Sequence, residues 1–367
     1  MRRGTLILLV FIIAAAAVIG VSQFLQRQPP TEFTLVVNPL AAGWAREAVA
    51  RFNSAAPLVN GTQRVQFAVT TLDDIAVWQD TPGWTADNRP AAWLPAASAA
   101  VSYSSRFTTL IPSLARTPLV WGAYQSRAEV ATEGGARPLD WDAVQAATAA
   151  ESWAALDGGS ADWRFVKLAF PRPDQTMTGL AALFTAAADY ANAASVTGSA
   201  LRDGAFRAWL EPVIASVPNF QTLGADPAAA MTRGPSTVEI ALLPEALWLN
   251  NLRGLAGSEP VVLAYPQFQL VLDFPLAAWA SAAEVTDTER AAVQALGAWL
   301  AAPAQQAALP DHGLRPAQAE PDASAALFAA GVPYGILYEP DYGQAVQPPA
   351  RTDALSLIQW FTNSQRR

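Results

Sequence analysis

The sequence contains no cysteine and a single histidine, His312. Without cysteine the chain forms no disulfide and carries no lipid on an N-terminal cysteine. Structural zinc needs several cysteine or histidine ligands, and a Ser–His–Asp arrangement would have to be built on His312. This histidine precedes Gly313 at the end of a predicted helix, which is typical of a helix C-terminal turn. We therefore expect no catalytic residue, no metal and no cofactor.

Basic residues are also scarce. Lys167 is the only lysine, and the net charge is −8. Since nucleic-acid binding requires a basic patch, we expect no nucleic-acid partner. The composition, 52% hydrophobic and 15% charged, indicates a globular chain. A length of 367 residues exceeds one ordinary domain and favours two lobes.

One long apolar run, Leu6 to Val21, follows two N-terminal arginines and contains no charged residue. With its flank it extends to Leu25 and reaches the roughly 20 residues that cross a hydrocarbon core. A cleaved secretory signal is the alternative, but its apolar core is typically about 7 to 15 residues. We predict an uncleaved single-pass anchor and short linker over residues 1–30. The arginines keep the N-terminus cytoplasmic, so the main domain is extracellular or periplasmic.

Strand-like and helix-like segments alternate after the linker, which favours an α/β fold with a parallel sheet. The predicted strands are Phe33–Val37, Arg64–Val69, a segment ending at Pro95, Pro118–Tyr124, Phe165–Phe170 and Val238–Leu243. The principal predicted helices are Trp44–Phe52, Asp73–Trp78, Trp141–Ala150, Gly179–Ala194 and Thr288–Ala302. Val261–Pro266 and Leu270–Asp273 are predicted to pair with each other. From Pro321 the chain is rich in Gly and Pro, and it ends in a predicted docking helix, Thr352–Thr362.

Two stretches combine a strand, a polar loop and a helix start: Val36–Trp44 and Ala169–Gly179. Helix N-termini after parallel strands present free backbone N–H groups, and ligands of open α/β sheets lie at the carboxyl ends of strands. Thr176 and Thr178 could donate to a ligand there. Simple N-capping is the alternative for each. Two such stretches on separate lobes favour a cleft between the lobes.

Carboxylate pairs raise a third possibility, a secreted hydrolase of the glycosidase kind. The acids available are Asp73, Asp74, Asp140, Asp142 and Asp311. Each also lies where a solvated helix start would place an acidic residue.

Several motifs together resemble a known family. They are Asn38–Asn53, Pro90–Ser98, Arg116–Val120, Lys167–Pro171, Glu259–Pro266 and Gly313–Pro316. In these the chain resembles the type 2 periplasmic solute-binding proteins of the sulfate, molybdate and iron kind. More narrowly it resembles the bacterial extracellular solute-binding domains found beside or fused to von Willebrand factor A domains. It departs from them at Pro173–Gly179, where the family has a Ser/Asn-rich stretch, and no von Willebrand domain is present in the sequence.

The resemblance implies a two-lobed, type 2 periplasmic-binding-protein-like α/β fold after the N-terminal transmembrane helix. Lobe 1 would be residues 31–116 plus 261–320 and lobe 2 residues 117–260, with crossing strands near Thr117 and Tyr265. Residues 321–367 would form a C-terminal wrap and helix.

The implied function is ligand capture by hinge closure, without chemistry. A membrane-tethered binding protein would hold a small ligand between its lobes for ABC-type uptake or sensing. Its partner would be an ABC permease or a von Willebrand factor A domain protein. The alternative is a surface scaffold that keeps the fold without transport. The candidate ligand contacts lie at strand ends and helix starts: Asn38, Thr70, Thr71, Ser98, Gln175, Thr176, Thr178 and Glu245.

Overall fold

The structure, a computed structural model, describes residues 10–14, 29–257 and 259–365. Its strands in chain order are β1 Thr31–Val37, β2 Leu58–Val59, β3 Gln63–Thr71, β4 Ala92–Leu94, β5 Phe107–Ile111, β6 Ala115–Tyr124, β7 Leu168–Ala169, β8 Ile240–Pro244, β9 Val261–Ala264, β10 Phe268–Gln269, β11 Val271–Leu272, β12 Leu276–Trp279, β13 Arg315–Pro316 and β14 Gln344–Ala345.

The α-helices that follow the linker are α1 Ala42–Ser54, α2 Asp74–Trp78, α3 Ser98–Tyr103, α4 Gln125–Ala131, α5 Trp141–Ala149, α6 Met177–Ala191, α7 Gly198–Arg202, α8 Gly204–Ala215, α9 Phe220–Leu223, α10 Pro227–Met231, α11 Glu245–Leu255, α12 Asp287–Leu300, α13 Pro303–Gln306, α14 Ala326–Gly331 and α15 Arg351–Ser364. Short 3-10 helices cover Pro39–Ala41, Trp153–Ala155, Ala161–Trp163, Leu309–His312 and Val332–Tyr334.

The predicted membrane anchor, Leu6 to Leu25, lies almost entirely outside the described residues. Of that segment the structure describes residues 10–14, which are helical and exposed. Within the described part of the chain, no helix is both long enough and apolar enough to cross a bilayer.

Lobe 1 is built on one six-stranded sheet in the order β2-β3-β1-β4-β12-β5. Strands β3, β1 and β4 are parallel, and β12 runs antiparallel between β4 and β5. The amphipathic pattern of α1 explains its packing, because Trp44, Ala48 and Phe52 lie on one buried face. Because β1, β3 and β4 are parallel, their carboxyl ends lie at the same edge of the sheet, and the loops that follow them lie together there.

Lobe 2 is built around β6. Its second half pairs with β8 on one side and β9 on the other, and β7 extends the sheet in parallel with β8. The alanine-rich helix α6 is buried along most of its length. Its start packs closely on the loop before it, since a Cβ on Gly179 would lie 2.0 Å from the carbonyl oxygen of Pro171.

The lobes are joined by two antiparallel crossing strands, β6 and β11, with Val271 opposite Pro118 and Leu272 opposite Thr117. The first crossing strand contains Thr117. The second lies after the predicted boundary, because β9 belongs to the lobe 2 sheet. The predicted pairing of Val261–Pro266 with Leu270–Asp273 was wrong, since β9 and β11 each pair with β6.

Residues 321–365, here named the C-terminal strap, contact both lobes and the region of the crossing strands, here named the hinge. Strand β14 pairs with β10 beside the crossing strand. On lobe 2, the rings of Phe361 and Phe220 meet edge to face, with 5.2 Å between centroids. On lobe 1, the Tyr103 hydroxyl donates to the carbonyl oxygen of Pro349 at 2.7 Å, and the Arg351 guanidinium lies 5.7 Å from the ring of Trp78.

Candidate functional site: the interlobe cleft

The two lobes touch where helix α6 of lobe 2 begins opposite the strand ends of lobe 1. The backbone N–H of Met177 donates to Oδ1 of Asp73 at 3.0 Å. We name this meeting place the interlobe cleft: the loops after β1, β3 and β4 on one side and the start of α6 on the other. It lies at the carboxyl ends of parallel strands, which is where open α/β sheets place their ligands.

Asp73 serves both lobes. Its carboxylate also accepts from Ile75 N at 3.0 Å, capping α2 of its own lobe. Burial raises the pKa of Asp73 from 3.8 to about 6, although the N–H groups of Ile75 and Met177 lower it. Burial therefore makes the Asp73 carboxyl harder to ionise than an exposed aspartate, while the Met177 N–H across the lobes favours its charged form.

Asp74, beside it, is fully buried and holds the lobe 1 side of the cleft together. Its oxygens accept from Asn38 Nδ2 at 2.9 Å and from Ala96 N at 2.8 Å. Burial, followed by the neighbouring charge of Asp73, raises the pKa of Asp74 well above 3.8. Asp74 thus links the loops after β1, β3 and β4.

Asn38, predicted as a ligand contact, is 1% exposed. Its side-chain oxygen accepts from Leu40 N at 3.1 Å while its amide donates to Asp74. Its side-chain oxygen and amide thus both bond within lobe 1. The structure places Asn38 at the base of the cleft, where it positions Asp74.

The other lobe 1 candidates lie at the rim. Thr70 is exposed at the end of β3, and the hydroxyl of its neighbour Thr71 accepts from Arg46. Ser98, also exposed, begins α3, and its backbone N–H donates to Oδ1 of Asp273 at 2.7 Å. Burial raises the pKa of Asp273, whereas the hydrogen bonds from Ser98 lower it.

The lobe 2 candidates cluster at the start of α6. Gln175 is exposed. Thr176 is the helix N-cap: its hydroxyl accepts from Gly179 N at 3.1 Å and donates to the Arg172 carbonyl at 3.0 Å. Thr178, the second residue of α6, is 6% exposed. Helix capping alone therefore explains the hydrogen bonds of the Thr176 hydroxyl.

Glu245, the remaining candidate, lies in the hinge. It is fully buried, and its oxygens accept from Arg315 Nε at 2.7 Å and Arg315 Nη2 at 2.8 Å. The hydroxyl of Tyr265 donates to it as well. These partners link the start of α11 to the crossing segments. The contacts of Glu245 therefore stabilise the fold, and none of the other candidate ligand contacts is among its partners.

Two residues outside the predicted set carry no local sequence signal. Asp273 is separated from Ser98 by 175 positions, and only the crossing strand brings them together. Gln269, on β10, is 1% exposed, and neither its amide nitrogen nor its amide oxygen has a hydrogen-bond partner. Such buried unpaired polar groups are uncommon in native proteins.

The remaining polar groups serve the fold. Asp140 caps α5 through Ala143 N at 2.9 Å. His312 Nε2 lies 3.5 Å from a carboxylate oxygen of Glu47, and Gly313 adopts φ 72°, as the predicted C-terminal turn requires. In the described ranges, no group of three or more histidine or acidic side chains could hold a metal ion.

Comparisons with known proteins were made for the sequence and for the structure. No protein-family model matches the chain, and no curated protein matches its sequence. Solved structures do match.

The sulfate-binding protein SubI from Mycobacterium tuberculosis is 14% identical, with a TM-score of 0.51, covering 92% of this chain and 99% of that one. The fructose 6-phosphate-bound periplasmic binding protein AfuA from Actinobacillus pleuropneumoniae is 10% identical, with a TM-score of 0.59, covering 91% and 98%. A Streptococcus pneumoniae solute-binding protein in complex with the blood group A-trisaccharide is 12% identical, with a TM-score of 0.58, covering 91% and 95%.

The chain therefore has the two-lobed α/β fold of periplasmic binding proteins, which confirms the resemblance at the level of the fold. These three similar structures are named as sulfate-binding, periplasmic-binding and solute-binding proteins. None of the findings bears on a von Willebrand factor A association.

Proposed function

We propose that this chain is a membrane-tethered extracellular solute-binding protein that captures a small ligand between its lobes for ABC-type uptake or sensing. The observation that carries the proposal is the pair of crossing strands, β6 and β11, joining two lobes that meet at the strand ends. Two crossing strands form a hinge about which rigid lobes rotate. The similar structures are named for sulfate, fructose 6-phosphate and trisaccharide ligands.

In this proposal the cleft residues take the ligand. The exposed candidates, Thr70, Ser98 and Gln175, line the rim, and Thr178 lies at the first turn of α6. The apolar run Leu6 to Leu25 tethers the chain, and an ABC permease is the expected partner. Since the linker is short, the lobes would work close to the outer membrane face.

Hinge closure can be measured with two fluorophores, because the sequence has no cysteine that would compete for labelling. One engineered cysteine would replace the exposed Ser102 of lobe 1 and the other the exposed Gln221 of lobe 2. Sulfate, ferric ion, fructose 6-phosphate and oligosaccharides are the probes. We expect one class to change energy transfer between the dyes. A control pair at Thr62 and Ser102, both in lobe 1, should not respond.

A surface scaffold is the second candidate function, and one observation favours it. The strap bonds to lobe 1 through Tyr103 and packs on lobe 2 through Phe361, while Asp73 already links the lobes. These contacts would resist opening. A scaffold would give constant energy transfer with every probe, and a von Willebrand factor A domain protein would then be the partner to test. Such a result would contradict solute binding.

A further inference from the structure

A cavity of about 310 Å³ lies where the C-terminal strap meets lobe 1, and we name it the strap cavity. Its walls are the end of α2 with the turn after it, the end of α3 with the turn that leads to β5, and Arg351, the first residue of α15. Pockets of roughly 300–1,000 Å³ hold small organic ligands. The ligand contacts predicted from the sequence do not line this cavity. It is therefore separate from the interlobe cleft.

The walls of the strap cavity carry more positive than negative charge. Two arginines, Arg106 and Arg351, line it together with one acid, Asp80. Arg106 donates through Nη2 to Asp80 Oδ2 at 2.6 Å and through Nη1 to the Trp84 carbonyl at 2.6 Å. Arg106 and Asp80 thus neutralise each other. The charge of Arg351 remains, and it favours an occupant with one negative charge.

Arg351 is available to such an occupant. Its side chain is exposed, and its guanidinium lies 5.7 Å from the Trp78 ring. Within residues 29–257 and 259–365, this guanidinium forms no ion pair and no hydrogen bond. Arg351 also begins a helix of 14 residues, so the positive end of the helix dipole lies at the cavity. The acid in the first turn of that helix, Asp353, is paired with Arg202 of lobe 2.

Two polar atoms of the cavity-lining residues are buried without a hydrogen-bond partner in the described part of the chain, Trp78 Nε1 and Asp80 Oδ1. Trp78 is 2% exposed. Such unpartnered groups are uncommon in native proteins and destabilise the fold. An indole N–H can only donate, whereas a carboxylate oxygen can only accept. Ser104 and Ser105 add hydroxyl groups to the walls. An occupant that both accepts and donates hydrogen bonds therefore matches these groups.

We propose that the strap cavity binds a small hydroxycarboxylate, a solute with one carboxylate and at least one hydroxyl group. Its carboxylate pairs with the Arg351 guanidinium, whose planar fork suits two parallel hydrogen bonds. Its hydroxyl groups meet the polar groups of the lobe 1 wall. A bound hydroxycarboxylate thus fastens the strap to lobe 1, next to the hydrogen bond from Tyr103 to Pro349. This site goes beyond the proposed solute-binding function and does not depend on it.

The first test measures the melting temperature of the full chain, with the ionic strength held constant by sodium chloride. Lactate, glycerate and gluconate are the probes, and glycerol, which has hydroxyls but no charge, is the control solute. We expect at least one hydroxycarboxylate to raise the melting temperature and glycerol to leave it unchanged. No rise with the three probes overturns the proposal, and so does an equal rise with glycerol. Neither result bears on hinge closure, which the dye pair reports separately.

Variants of Arg351 then locate the binding site. Arg351→Gln removes the charge of an exposed side chain, so the variant should fold, and its melting temperature without ligand checks this. It should weaken binding of the responding hydroxycarboxylate at least about tenfold. Arg233→Gln, which changes an exposed arginine of lobe 2, is the matched control and should bind normally. Arg351→Lys keeps the charge and should bind more tightly than Arg351→Gln. Undiminished binding by Arg351→Gln would place the solute elsewhere and overturn the proposal.

A signal from the cavity wall gives an independent readout. The indole N–H resonance of Trp78, assigned with Trp78→Phe, should shift as the responding hydroxycarboxylate is added. Trp153 is buried in lobe 2, and its indole resonance is the reference that should stay in place. A titration that raises the melting temperature but leaves the Trp78 resonance unchanged would refute the site.

Discussion

Replacing Glu245 with glutamine distinguishes a hinge residue from a ligand contact. The substitution keeps the shape of the side chain but removes its charge, so the fully buried guanidinium of Arg315 loses its two-bond carboxylate partner. Arg315 still donates to Glu320 at 2.6 Å and to the Tyr338 carbonyl at 2.7 Å. Removing one partner of a buried ion pair lowers the free energy of unfolding by about 3–5 kcal/mol. Because these partners remain, we expect Glu245→Gln to lower the free energy of unfolding by about 3 kcal/mol, the lower end of that range.

The assay is denaturant unfolding followed by tryptophan fluorescence, with the free energy of unfolding extrapolated to water. Glu47→Gln is the control, since Glu47 is exposed and its two neighbouring basic groups are distant, at 3.5 Å for His312 and 3.8 Å for Arg51. It should change the free energy by no more than about 0.5 kcal/mol. Replacing both Glu245 and Arg315 by methionine should cost less than the sum of the single changes. If Glu245→Gln unfolds like the wild type but loses ligand binding, Glu245 is a ligand contact and our assignment is refuted.

Three further substitutions test helix α6. Thr176→Ala removes the N-cap and should lower the free energy of unfolding by about 1 kcal/mol; unchanged denaturation would show that the cap is dispensable. Gly179→Ala should cost about 1–3 kcal/mol, because its Cβ would lie 2.0 Å from the Pro171 carbonyl, whereas Gly204→Ala, which meets open space, should be nearly neutral. Burial, then the charges of two neighbouring acids, raises the pKa of Asp189 from 3.8 to about 7. The folded state therefore retains a proton that the unfolded state loses in this range, and the stability of the wild type falls as pH rises from 3.8 to about 7. Asp189→Asn should make that slope shallower by the contribution of one carboxyl, because Asp73, Asp74 and Asp273 contribute in the same direction. A thermal melt series with an unchanged slope would contradict the assignment.

Local sequence pattern predicts the elements whose residues bury a continuous apolar face. Strand β1 and helices α1 and α6 follow from β-branched runs and helical periodicity. Strand β12, Leu276–Trp279, contains two alanines in four residues. Its strand propensity is weak, and its conformation comes from pairing with β4 and β5.

The candidate site was predictable as a location but not as a set of contacts. Strand ends and helix starts correctly indicate where the lobes meet. The partner of Asp73, however, is Met177, 104 positions later, and no local pattern encodes such a pair. Glu245 is a second example, because a helix-start acid gives no local sign of its buried partner Arg315, 70 positions later.

The position of β12 in the lobe 1 sheet also determines the order in which the chain can fold. Strands β4 and β5 precede lobe 2 in the sequence, yet β12, which lies between them, follows it. As the chain emerges from the ribosome or an export channel, lobe 1 is left with a gap in its sheet until lobe 2 has passed. Long-range pairing of this kind slows folding and exposes unpaired strand edges. We expect lobe 2 to fold first, lobe 1 to close around β12, and the C-terminal strap to dock last.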